Sequence, residues 1–126
     1  MADAQLARET LIDGADYIEK IILTIDDIVE NFLAGRENLA LQDFPELVDG
    51  LEWIINVVML TRPTQKEVGI ELTDPAAFMS SVNEIIGAFE NNDYVLLGDL
   101  LNYEAKPILE QWSREFKSIK EKLITS

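Results

Sequence analysis

The chain contains no cysteine and no histidine. That excludes disulfide staples, thiolate nucleophiles, Cys/His zinc sites and every mechanism that rests on imidazole. Basic residues are scarce too: 10 lysines and arginines stand against 24 aspartates and glutamates, a formal net charge of -14. Such a surface repels a phosphate backbone and an anionic membrane, so neither nucleic acid nor a membrane is an expected partner. The acidity has a bland reading, a solvated surface that keeps a small protein soluble, beside two functional ones, attraction to a basic partner and DNA mimicry. No apolar run approaches the ~20 residues of a membrane-spanning helix. The start, Met1-Ala2-Asp3-Ala4, lacks the basic and apolar regions of a secretory signal, and a cytoplasmic address is the resulting expectation.

What is present is helical periodicity. At 126 residues, with 48% apolar and 27% charged residues, the chain has the size and balance of one globular domain spanning 1–126. Leu11, Ala15, Ile18, Ile22, Ile25, Val29 and Phe32 recur at spacings of four and three, the seam of a bundle helix, with Ile21 and Ile28 beside it. Asp13, Asp16, Glu19, Asp26, Asp27 and Glu30 take the opposite face, which predicts a helix from about Ala4 to Leu33 with Gly35 as a left-handed cap. A second helix carries Leu47, Val48, Leu51, Ile54, Ile55 and Val58 on one face. Asp43 could cap a new helix at Phe44-Pro45, but the favoured reading is one element from about Glu37, kinked where Pro45 removes the amide partner of the Leu41 carbonyl. From Arg62 to Asp74 no helical period is visible, and Pro63 and Gly69 punctuate what reads as one long loop.

Thr73-Asp74-Pro75 then caps a third helix to about Glu90, with Phe78, Val82, Ile85 and Phe89 facing inward. Asn91-Asn92-Asp93 combines turn and cap ahead of a fourth helix marked by Tyr94, Leu97, Leu101, Ile108, Trp112, Ile119 and Leu123. Pro107 interrupts it, and a bend is expected where the Tyr103 carbonyl loses its partner. The predicted architecture is all-α: an antiparallel up-and-down four-helix bundle with kinks near Pro45 and Pro107. Gly14, Gly50, Gly87 and Gly98 fall one per helix. Close backbone approach at helix crossings and a shared ligand cleft are both readings of that pattern.

The chemistry that such a bundle commonly hosts is missing. A ferritin-like di-iron site needs Glu-x-x-His pairs, and no EF-hand loop, Walker A motif or glycine-rich phosphate turn occurs. No catalytic residue, metal ligand set or cofactor is assigned. Two constellations stand out. Asp99, Tyr103 and Glu104, with Asp93, form a polar cluster on the fourth helix, either a cation or acid-base site or a plain helix surface. On the second helix Trp53, Val57 and Leu60 extend the apolar surface beyond the core face, which marks either a deeply enclosed helix or an interface, with Trp53 as the expected partner contact. The basic residues Arg114, Lys117, Lys120 and Lys122 gather at the end of the chain, where they suit the helix dipole and could lay the last helix against the acidic first helix of its own or another chain.

Asp49-Gly50-Leu51-Glu52-Trp53, together with the run from Asp93 through Tyr94-Val95-Leu96-Leu97-Gly98-Asp99-Leu100-Leu101-Asn102-Tyr103 to Glu104 and the following Pro107, resembles a group of small acidic helical proteins from Gram-positive bacteria with no assigned activity. The resemblance implies a bacterial cytoplasmic protein and carries no mechanism. In helix layout the chain is also similar to flagellin export chaperones, without their sequence motifs. The leading functional expectation is a non-catalytic interaction module, an adaptor or chaperone-like bundle that binds another protein or a second copy of itself. The alternative is a small metal-dependent hydrolase or ligand-binding bundle using the carboxylates of the fourth helix.

Overall fold

A computed structural model describes residues 4–125. Those residues form an all-helical chain without a strand. Helix α1 (Ala4–Leu33) buries Leu11, Gly14, Ala15, Ile18, Ile21, Ile25 and Ile28. Ile22, Val29 and Phe32, placed on the seam by spacing alone, are only partly buried, whereas Ile21 and Ile28 go fully inside. The reason is that α1 packs on two sides, against α7 (Lys106–Thr125) along most of its length and against α3 (Phe44–Leu60) on the other flank. A two-sided helix needs a wider stripe than a single seam. Gly35, in the left-handed region at φ 75, then ends α1, and the Arg36 amide reaches back to the Asn31 carbonyl at 2.8 Å.

The expected kinked second element is two helices. Helix α2 (Glu37–Gln42) stops before Asp43, and α3 begins at Phe44 with Pro45 in its first turn. Proline's missing N–H costs nothing there, because the first amides of a helix have no partner within it. Phe44 locks the junction by stacking on Phe89, with ring centroids 4.3 Å apart. The predicted loop from Arg62 to Asp74 also needs correction, since its first half is a helix, α4 (Arg62–Val68), with Pro63 in the first turn and Gly69 as the left-handed cap at φ 79. Its apolar period is absent because polar contacts hold it in place, chiefly those of Gln65, which is fully buried.

Helix α5 (Ala76–Glu90) starts where expected, with the Asp74 carboxylate accepting the Ala76 amide at 2.9 Å. Helix α6 (Tyr94–Leu100) is capped by Asp93, whose carboxylate accepts the Leu96 amide. Just upstream of Pro107 the backbone passes through a π-turn, Leu101–Ala105, in which the Lys106 amide bonds to the Leu101 carbonyl five residues back. The backbone irregularity anticipated ahead of Pro107 takes the form of one turn of wider hydrogen-bond register. Beyond it Trp112, Phe116 and Ile119 are fully enclosed. The Trp112 indole meets Phe78 at 4.9 Å between centroids and donates its N–H to the Thr73 carbonyl at 3.0 Å.

The α1–α7 contact is close in one place and charged along its rim. A Cβ at Gly14 would stand 2.7 Å from Cε1 of Phe116, a buried ring with nowhere to retreat. Lys117 pairs with Glu19 at 2.6 Å, Lys120 with Asp16 at 3.3 Å and Lys106 with Asp26 at 2.6 Å, so the basic end of the chain lies antiparallel on the acidic first helix of the same molecule. The hydrogen bond that Lys106 donates to the Asp26 carboxylate holds its ammonium above the ordinary lysine pKa, against the opposing effect of burial.

Two experiments follow from this packing. Gly14→Ala is expected to lower stability by about 1–3 kcal/mol through overpacking. Gly87→Ala, where nothing lies within 4 Å of the added carbon, should raise it by about 0.5–1 kcal/mol from helix propensity alone. Chemical denaturation of the two variants reads both signs. Because folding raises the Lys106 pKa, the pair's contribution is complete below the unfolded lysine value of about 10.4 and fades as the pH climbs through the folded one. Asp26→Asn should bring the Lys106 pKa back down in an NMR titration and remove that alkaline dependence.

Candidate functional site

Helices α1 and α3 run antiparallel, and two hollows lie in line along the crevice between them. At one end α1 presents Leu6, Ala7 and Thr10, and α3 presents Trp53, Val57 and Leu60, around a cavity of about 330 Å³. Leu60 is 73% exposed, Leu6 60% and Trp53 38%, whereas Val57 forms the floor and belongs equally to the core. The hydroxyls of Thr10 and Thr61 at this end are already spent on the carbonyls four residues back, Leu6 and Val57, at 2.7 and 2.6 Å. The walls therefore offer mainly carbon to anything that enters.

Trp53 is held by Tyr17 across the crevice, edge to face with centroids 4.9 Å apart. Glycine at position 50 makes that possible, because a Cβ there would lie 3.1 Å from the Tyr17 hydroxyl. Past this aromatic pair the crevice changes character. Its second half, also about 330 Å³, is lined by Lys20 and Asp27 of α1 and by Glu46 and the preceding Asp43 on the α3 side. The two hollows, one on each side of the Tyr17–Trp53 pair, are thus apolar toward the start of α1 and acidic toward its end.

The polar cluster read from the fourth helix does not assemble as a unit. Asp99 and Tyr103 border a smaller hollow of about 230 Å³ beside Phe32 and Tyr94, which stack at 5.7 Å. Glu104 points elsewhere, accepting a long 3.5 Å hydrogen bond from Ser81 of α5. Neighbouring residues on a helix diverge by roughly 100°, so Glu104 cannot share a face with Tyr103. Among the described residues no group of three carboxylates converges as a cation site.

Sequence reasoning missed two contributions. Leu6 and Ala7 complete the apolar end, and their only signal was an apolar pair ahead of the α1 seam. Gln65 was hidden inside the supposed loop, yet it organises the segment after α4. Its amide nitrogen donates to the Val58 carbonyl at 2.8 Å and to the Thr61 hydroxyl at 3.0 Å, while its oxygen accepts from Arg62 and from the Leu72 amide. Gln65 stands four residues from Thr61 and three from Arg62, the two spacings at which helical side chains meet, and that spacing is the clue the sequence offers. Glu115 then accepts the Thr73 amide and hydroxyl, and Lys122 donates to the Val68 carbonyl, so the whole stretch is tied to α7.

A family model matches residues 9–115. The chain belongs to that family, a domain of unknown function, DUF8042. No curated protein matches the chain, and no solved structure does. The matched span takes in all of α3 with Trp53, Val57 and Leu60, as well as Asp27, Asp43 and Glu46, while Leu6 and Ala7 lie ahead of it.

Replacing Gln65 by leucine would leave the buried Leu72 amide and the Val58 carbonyl without their partner. Each unpaired buried group costs about 1–3 kcal/mol, so Gln65→Leu should destabilise the fold by roughly 2–4 kcal/mol in urea unfolding.

Proposed function

We propose that the protein is a non-catalytic interaction module, adaptor or chaperone-like, that docks another protein in the crevice between α1 and α3. In this reading α2 with α3 and α6 with α7 each count as one arm, and the arrangement is an up-and-down four-helix bundle working in the cytoplasm. The observation that carries it is the grouping of Leu6, Trp53 and Leu60, three large exposed apolar side chains, around one groove whose nearby threonine hydroxyls are already engaged. Apolar patches of that kind are interaction surfaces in soluble proteins, and tryptophan is enriched among the residues that dominate binding energy. No cofactor or metal enters this reading, and a net charge of -14 directs the protein away from nucleic acid and anionic membranes.

Affinity capture with tagged wild type beside Leu60→Asp and Trp53→Ala tests it. A partner held stoichiometrically by the wild type should be lost by both variants. Leu60 is mostly exposed, so Leu60→Asp should keep the far-UV circular dichroism and melting temperature of the wild type. If both variants retained the same proteins as the wild type, the groove would not be the docking surface.

A further inference from the structure

The negative charge of the protein is not uniformly available. On the α7 side of α1, Asp16, Glu19 and Asp26 are each paired with a lysine of α7. In the α1–α3 crevice the situation is the reverse: no ion pair among the described residues engages Asp27, Asp43 or Glu46, which line it, nor Asp13 and Asp49 on the same two helices. Asp13 and Asp49 precede Tyr17 and Trp53 by four residues, so each carboxylate stands one turn from a ring of the aromatic pair. Asp27, Asp43 and Glu46 line the far half, with Lys20 as the single cation beside them. The intramolecular lysines have been used on one flank, and the other flank keeps a surplus of carboxylate.

We infer that the occupant of the crevice is a basic amphipathic helix of another protein, seated with apolar side chains over Trp53 and Leu60 and with lysines or arginines over Asp27, Asp43 and Glu46. This rests on the interaction-module reading and specifies its partner. The shape fits a helix, because a groove between two antiparallel helices accepts the ridge of a third, and the described residues offer no sheet edge to an extended strand. From Leu6 to Asp27 the crevice runs for about 30 Å at 1.5 Å per residue, the length of a helix of about 20 residues. A second copy of this chain is a poor occupant, since it carries the same surplus carboxylates and the same net charge of -14 into the contact.

The test uses labelled 20-residue helical peptides as probes, one face leucine-rich in one half and lysine-rich in the other, made in both chain directions. A matched set carries glutamate in place of lysine. Fluorescence anisotropy with the full-length protein should show binding of one lysine peptide, weakening with added salt, and none of the glutamate peptides. The paired reversal Asp43→Lys with Glu46→Lys should weaken the lysine peptide by about tenfold or more, whereas Asp99→Lys with Glu104→Lys, away from the crevice, should leave it unchanged. Binding of lysine and glutamate peptides alike, or equal losses from both reversals, would overturn the basic-helix assignment, as would failure of every peptide to bind. None of these outcomes touches the interaction-module reading, which falls only if Leu60→Asp and Trp53→Ala retain the wild-type partners.

Discussion

Helix α1 has to be buried from two directions at once, and the rest of the molecule is arranged around that constraint. On one flank the missing side chain of Gly14 admits the Phe116 ring, which sets how closely α7 approaches. On the other flank the missing side chain of Gly50 admits Tyr17, which sets the approach of α3 and fixes Trp53 at its edge. Both contacts depend on glycines in helix interiors, where each costs about 1 kcal/mol relative to alanine, and the close packing offsets that cost. Gly87 has no such neighbour, so close approach accounts for Gly14 and Gly50 and leaves Gly87 without a packing role.

Electrostatics follows from the same arrangement. Three lysines of α7 meet three carboxylates of α1, and partly exposed pairs of this kind add little to stability. Their effect is distributional: they neutralise one face and leave the crevice acidic. The fold thus separates a packed, charge-balanced side from a side with exposed carbon and unpaired carboxylates.

Much of this was legible in the residues. The α1 stripe, the Gly35 and Asp93 caps, the start of α5 and the meeting of the basic last helix with the acidic first one all follow from local rules of spacing, capping and charge. What was not legible has a common cause. The choice between a kink and a new helix at Asp43, both open in the sequence, the helical character of α4 and the π-turn before Pro107 are settled by tertiary contacts: the Phe44–Phe89 stack, the Gln65 hydrogen bonds and the enclosure of Trp112. Proline and glycine announce that the chain changes course but not whether a helix resumes immediately. The candidate site divides the same way. Trp53 and Leu60 were visible as apolar surplus on one helix, whereas Leu6 and Ala7 come from a helix 40 and more residues earlier in the chain and could be joined to them only by the fold. Glu104 meets Ser81 of α5, whereas Asp99 and Tyr103 border the hollow beside Phe32 and Tyr94, a divergence that adjacency in sequence conceals.

The crevice between α1 and α3 is the face we propose for a protein partner. Photo-crosslinking in cells tests it most directly, with the reactive amino acid placed at Asn56 inside the crevice and, separately, at Tyr103 on the far hollow. The account predicts one discrete crosslinked partner from position 56 and none from position 103. A partner trapped from position 103 but not from position 56 would contradict it.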